Sequence, residues 1–158
     1  MSKAIGLDYH GVITANPNLF SVLTKILRSL NYEVHIITGS RITEQLKEQL
    51  SSYGISYTHL FSISDYHHQH GTAMTGYDDH QPKIASEIWD KAKALYCRDH
   101  EINFHIDDSE VYGQHFTTPY MIFKGGKKPS IVIQQTEGEM ERMIIDLYMS
   151  ELEKGTTL

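Results

Sequence analysis

The chain has 158 residues, of which 40% are apolar and 22% charged, a composition that suits one soluble domain with its own core and excludes disorder. Fourteen Lys and Arg against twenty Asp and Glu leave a formal charge of −6. That excludes a broad nucleic-acid-binding face, but not a small phosphorylated substrate, because a bound cation reverses the local sign. The single cysteine, Cys97, forms no internal disulfide and points to a reducing compartment. No apolar run approaches the roughly 18 residues of a membrane span, and Met1-Ser2-Lys3 leads into a strand rather than a signal peptide. The expectation is a cytoplasmic protein without a membrane partner.

In chain order, residues 3–8 form a strand, and 17–30 a helix with Leu19, Phe20, Leu23, Ile26, Leu27 and Leu30 at helical spacing. Residues 33–38 follow as a strand, with Val34, Ile36 and Ile37 inside. A helix capped by Ser40 or Thr43 runs to about Tyr53 and stops at Gly54. Residues 57–63 read as a third strand. The stretch 67–81 is polar, Gly-containing and without a period, which predicts a loop or small lid, at widest 65–82. A helix over 83–96 follows Pro82, with Ile84, Ile88, Trp89, Ala92 and Leu95 on one side. Strands at 102–107, 120–123 and 130–134, a loop over 124–129 and an amphipathic helix over 137–152 complete the chain. No linker or repeat divides it. Strand–helix alternation predicts a single α/β domain over 1–158, a Rossmann-like three-layer sandwich with a mostly parallel sheet and no large cap domain.

Four polar sites fall at the ends of these elements. Asp8 ends the first strand and opens Tyr9-His10-Gly11-Val12; Thr38-Gly39 ends the second; Asp107-Asp108 ends the strand at 102–107; and Lys83 opens the predicted helix between them. Carboxyl ends of parallel strands are where open α/β sheets hold their ligands. Each site also has an ordinary structural reading. A strand-ending Asp forms turns or caps helices, Thr38 is then a plain strand exit, Ser40 and the Asp107-Asp108-Ser109 run serve as caps, and Lys91 and Lys93 lie close to Lys83. Lys83 is preferred because it begins the helix on the carboxyl side of the sheet. As a set, these carboxylates, hydroxyl and lysine suit attack by a carboxylate on phosphorus under electrostatic stabilisation.

The set, taken in order, resembles the four motifs of the haloacid dehalogenase-like superfamily, over a stretch from Ile5 to about Phe123. The resemblance implies a magnesium-dependent phosphohydrolase of the small capless type that works through an aspartyl-phosphate. Asp8 would be the nucleophile. Thr38, the Gly39 amide and Lys83 would bind the phosphoryl group, and Mg²⁺ would be held by Asp8, the His10 backbone carbonyl, Asp107 and Asp108. The substrate would be a phosphomonoester, whether nucleotide, sugar phosphate or polynucleotide end. Capless members often act on exposed phosphates, or form homo-oligomers whose neighbours cover the site. The chain departs from the pattern at one position: the acid/base aspartate expected two residues after the nucleophile is His10. Imidazole can protonate a leaving group and activate water. The alternative is a catalytically weak phosphate- or metal-binding module. A phosphoacceptor signalling domain fits poorly, because its paired acids should precede the acceptor, and here they come last. His67, His68, His70, Asp78, Asp79 and His80 cluster without a recognised ligand spacing and read as a solvated loop. Trp89, Tyr112, Phe116 and Met121 fit either core or surface contacts.

Overall fold

Alternation along the first strand decides what the sheet buries on each side. The computed structural model describes residues 3–73, 76–78, 81–125 and position 146. Strand β1 (Ala4–Asp8) is buried throughout, and successive side chains point to opposite faces. Ile5 and Leu7 enter one core, while Ala4 enters the other. A single wide turn, Tyr9–Ile13, carries the chain into α1 (Pro17–Ser29), which Asn16 caps through its side chain. Strand β2 (Glu33–Thr38), helix α2 (Glu44–Ser52), capped by Thr43, and strand β3 (His59–Ser62) follow. Helix α3 (Ile63–Gln69) leads to a small antiparallel hairpin, β4 (Gly76–Asp78) and β5 (Gln81–Lys83). Helix α4 (Ser86–Asp99), β6 (Phe104–Asp107), the one-turn α5 (Glu110–Gly113) and β7 (Tyr120–Ile122) complete the described fold.

The five long-range strands form one sheet in the order β3-β2-β1-β6-β7, every pair parallel. This is the expected α/β architecture, with helices on both faces and, among the described residues, no large inserted domain. On one face, Phe20 and Leu27 of α1 and Leu46 and Leu50 of α2 pack over Leu7, Ile36 and Ile106. On the other, Ala94 and Cys97 of α4 pack with Ile37, Phe116, Tyr120 and Ile122. Phe116 therefore belongs to the core, with Tyr112 packed against it, and Met121 packs against the opposite cluster. Fully burying one such aliphatic side chain is worth about 1.5–3 kcal/mol.

The structure corrects three sequence-based expectations. The segment 65–82 is not a plain loop: its first part continues α3, and its described remainder includes the β4–β5 hairpin. Nor does Lys83 open a helix. It ends β5, and α4 begins at Ser86. The inward face of α4 is Ala92, Lys93, Ala94 and Cys97, whereas Ile88 and Leu95 are exposed. The strand expected at 130–134 and the helix at 137–152 lie outside the described residues, Asp146 apart. No described helix is long and apolar enough to cross a membrane.

Candidate active site

Register places the two principal carboxylates side by side. Leu7 of β1 pairs with Ile106 of β6, so Asp8 and Asp107 end neighbouring parallel strands and, by alternation, face the α4 side. Both are buried, at 5% and 0% exposure. Between them stands Lys93, itself 2% exposed. Its Nζ lies 3.0 Å from Asp8 Oδ1 and 2.6 Å from Asp107 Oδ2, and 4.7 Å from the centroid of the Tyr112 ring. Lys83, the lysine expected from the sequence, ends β5 and is exposed, whereas the lysine that meets these carboxylates comes from the second turn of α4. A signal for it exists in the sequence. Trp89, Lys93 and Cys97 recur every four residues on one helix face, and a lysine on a buried face requires a carboxylate partner.

The carboxylates have different surroundings. Asp107 Oδ2 also meets His105 Nε2 at 3.1 Å, and its Oδ1 accepts the Ser109 amide at 3.0 Å. Burial works against ionisation of Asp107, yet the His105 hydrogen bond and the Lys93 ammonium outweigh it and hold this carboxyl well below its ordinary range. Asp8 has less support, accepting the Tyr9 amide at 2.8 Å in addition to Lys93. Its burial dominates, Lys93 opposes, and the neighbouring Asp107 charge adds to the rise, so its carboxyl is pushed up to about 7. Lys93 would lose its proton more easily through burial, but Asp8 and Asp107 together keep it a firm ammonium. One lysine thus neutralises one of two buried carboxylates, and ionisation of Asp8 adds a negative charge that a second cation can balance.

Asp108 supplies a third carboxylate. Acidic oxygens of Asp8, Asp107 and Asp108 all lie within 4.8 Å of one another, a set of hard oxygen donors of the kind Mg²⁺ and Ca²⁺ take. Gly11 makes this approach achievable. Its φ is +73°, and a Cβ there would stand 2.0 Å from Asp108 Oδ2 and 2.4 Å from its Cγ. The turn after Asp8 therefore needs a residue that is both left-handed and without a side chain.

His10 reaches from this turn to the end of β2, with Nε2 2.9 Å from Ser40 Oγ. Partial burial, and then the Lys93 charge, lower its pKa, against the pull of Asp108. Thr38 is fully buried and its Oγ1 accepts the Ser40 amide at 3.2 Å. Trp89 covers Gly39, where an added Cβ would lie 3.1 Å from the indole, and the Gly39 carbonyl accepts the Ser64 hydroxyl. Asp8, His10, Thr38, Gly39, Asp107 and Asp108 thus gather at one sheet edge, as their strand-end positions imply. The histidine cluster behaves otherwise. His67 is a buried member of α3 bonded to Thr72 Oγ1 at 2.9 Å, and His68 and His70 are exposed. Among the described residues these histidines form no group with converging ligand atoms; Asp79 and His80 lie outside the described residues. No protein-family model matches this chain, and no curated protein matches it.

Proposed function

We propose that the protein is a Mg²⁺-dependent phosphomonoester hydrolase of the haloacid dehalogenase-like type, with Asp8 as nucleophile. The observation that supports this most directly is the Asp8–Lys93–Asp107 bridge, with Asp108 beside it, at the carboxyl edge of a parallel sheet. A lone buried ion pair is weak evidence of anything. Three carboxylates around one lysine are an excess of negative charge that calls for a divalent ion, and that ion can in turn take phosphate oxygens. Asp8, Asp107 and Asp108 would hold the ion, joined by the His10 backbone carbonyl. Bound there, Mg²⁺ would keep Asp8 ionised and neutralise phosphate charge.

In the first step an oxygen of Asp8 forms a bond to phosphorus as the ester P–O bond breaks. Among the described residues both contacts of Asp8 land on Oδ1, which leaves Oδ2 to attack. The departing alkoxide takes a proton from His10. In the second step water attacks the aspartyl-phosphate, the Asp8–phosphorus bond breaks, and the water proton passes to His10. Lys93 holds charge beside the transferring group throughout, while Thr38 and the Gly39 amide orient it. Among the described residues no large cap covers the site, so a nucleotide, a sugar phosphate or a polynucleotide end fits the reading equally, and a neighbouring copy could complete it.

One observation favours a second reading. Partial burial lowers the pKa of His10, a direction that suits the base of the second step better than the acid of the first. The catalytically weak phosphate- or metal-binding module follows if the acid step fails. The test is phosphate release from a panel of phosphomonoesters with Mg²⁺, for wild type, Asp8→Asn, His10→Asp and His10→Ala. Hydrolysis that needs Mg²⁺, disappears in Asp8→Asn and falls in His10→Ala supports the enzyme. A low wild-type rate unchanged by His10→Ala and raised by His10→Asp supports the module.

A further inference from the structure

Away from the carboxylate edge, on the α4 side of the sheet, β2 and β3 bring together a second set of ligating side chains. Glu33 and His35 are two residues apart on β2 and so share a face. His35 pairs in register with His59, the first residue of β3. Glu33 Oε2 lies 3.3 Å from His35 Nε2 and 4.0 Å from His59 Nδ1, and one ligand atom from each residue falls within 4.8 Å of the others. We propose that Glu33, His35 and His59 form a binding site for a borderline transition-metal ion, Zn²⁺ by chemical class, independent of the phosphate site.

The donor set is the first reason. Two imidazoles and one carboxylate suit Zn²⁺ and its neighbours in the first transition row, whereas Mg²⁺ prefers oxygen. The spacing is the second. Tetrahedral zinc with bonds of about 2.0–2.1 Å sets ligand atoms roughly 3.4 Å apart. Of the two separations to Glu33, one is already that short and the other is 0.6 Å longer. The third reason lies behind the ligands. His35 Nδ1 is 2.9 Å from the Tyr96 hydroxyl, a group that can donate or accept. When Nε2 carries the proton, it can donate to Glu33 and Nδ1 can accept from Tyr96. When Nε2 binds metal, Nδ1 carries the proton and donates to the same hydroxyl. Such an outer partner is what orients a metal-bound histidine.

Access is built in. The His35 side chain is 2% exposed, but those of Glu33 and His59 are 42% and 48% exposed, which leaves an entry path and a coordination position for water. One adjustment is required. The His35 and His59 rings are stacked, with centroids 4.2 Å apart and planes at 17°, so their lone pairs run side by side. The half-exposed His59 ring must turn for both to converge on one ion.

The test is titration of the full-length protein with Co²⁺, a spectroscopic substitute for zinc, in wild type, His59→Gln, Glu33→Gln and the double variant His68→Gln/His70→Gln. Matched circular dichroism and melting in EDTA check that each variant folds. The expected result is about one equivalent of Co²⁺ with the strong visible bands of a low-coordinate, nitrogen-ligated ion, displaced by Zn²⁺. The bands should vanish in His59→Gln, require at least about tenfold more metal in Glu33→Gln, where a neutral amide replaces a charged ligand, and persist in the double variant. Absence of the bands from wild type overturns the proposal. So does their survival in His59→Gln, or their loss in the His68/His70 variant. None of these readings depends on phosphatase activity.

Discussion

Replacing Lys93 with Met keeps nearly the same length while removing the charge between two buried carboxylates. The ammonium now contacts Asp8 and Asp107 at 3.0 and 2.6 Å, and the acidic oxygens of that cluster lie within 4.8 Å of one another. Two unit charges at that separation repel by about 3.5 kcal/mol at an effective dielectric of 20. Breaking a buried ion pair by removing one partner costs about 3–5 kcal/mol. The two figures agree, so Lys93→Met should lose about 3–5 kcal/mol of unfolding free energy in urea at pH 8. The loss should shrink on acidification. Asp8 already has a carboxyl raised to about 7, and without Lys93 it rises further. A raised folded-state carboxyl pKa favours the native state as pH falls and loses that advantage as pH rises to the folded value. The variant should therefore be closer to wild type at pH 5 than at pH 8. Its phosphate release should fall about 10²–10³-fold, as when one preorganised charge is removed from a transition state. Lys83→Met, at an exposed strand end, should stay within about 0.5 kcal/mol of wild type and keep its rate. A Lys93→Met protein with wild-type stability and turnover, or a Lys83→Met protein that has lost turnover, would refute the assignment of Lys93.

Further outcomes follow from single residues. Asp8→Asn changes charge but hardly volume, so it should abolish turnover and preserve the circular dichroism spectrum; EDTA should silence the wild type and Mg²⁺ restore it. Gly11→Ala places a Cβ against Asp108 at a positive φ. It should cost about 1–2 kcal/mol and weaken Mg²⁺ binding measured calorimetrically, whereas unchanged affinity would separate Asp108 from the ion. His35 is held down to about 4 mainly by burial, against 6.5 when unfolded. In EDTA, stability should drop by at most about 3 kcal/mol as pH falls from 6.5 to 4, since only the unfolded chain takes up the proton there. A flat profile in wild type, or one unaltered by His35→Gln, would contradict this. Cys97 is fully buried, with its thiol pushed well up by burial, so a thiol reagent should label it only at the rate of global unfolding.

The described strands of the parallel sheet were legible in the sequence because short apolar runs ended by Asp8, Thr38 and Asp107 leave few alternatives, and a period of two fixes which side chains share a face. That alone places Asp8 and Asp107 on one sheet edge. Which lysine joins them was signalled only weakly, by the four-residue spacing of Trp89, Lys93 and Cys97. It depends on where α4 starts and how it is rotated, and those are set by packing of Ala94 and Cys97 against Ile37 and Ile122 rather than by local propensity. Pro82 and Lys83 look like a helix start, yet they pair with Tyr77 and Gly76 in a hairpin. The approach of Asp108 to Gly11 and the Glu33–His35–His59 grouping were equally hidden. Each needs register between strands that are distant in the chain, and register is decided only when both faces of the sheet are buried at once.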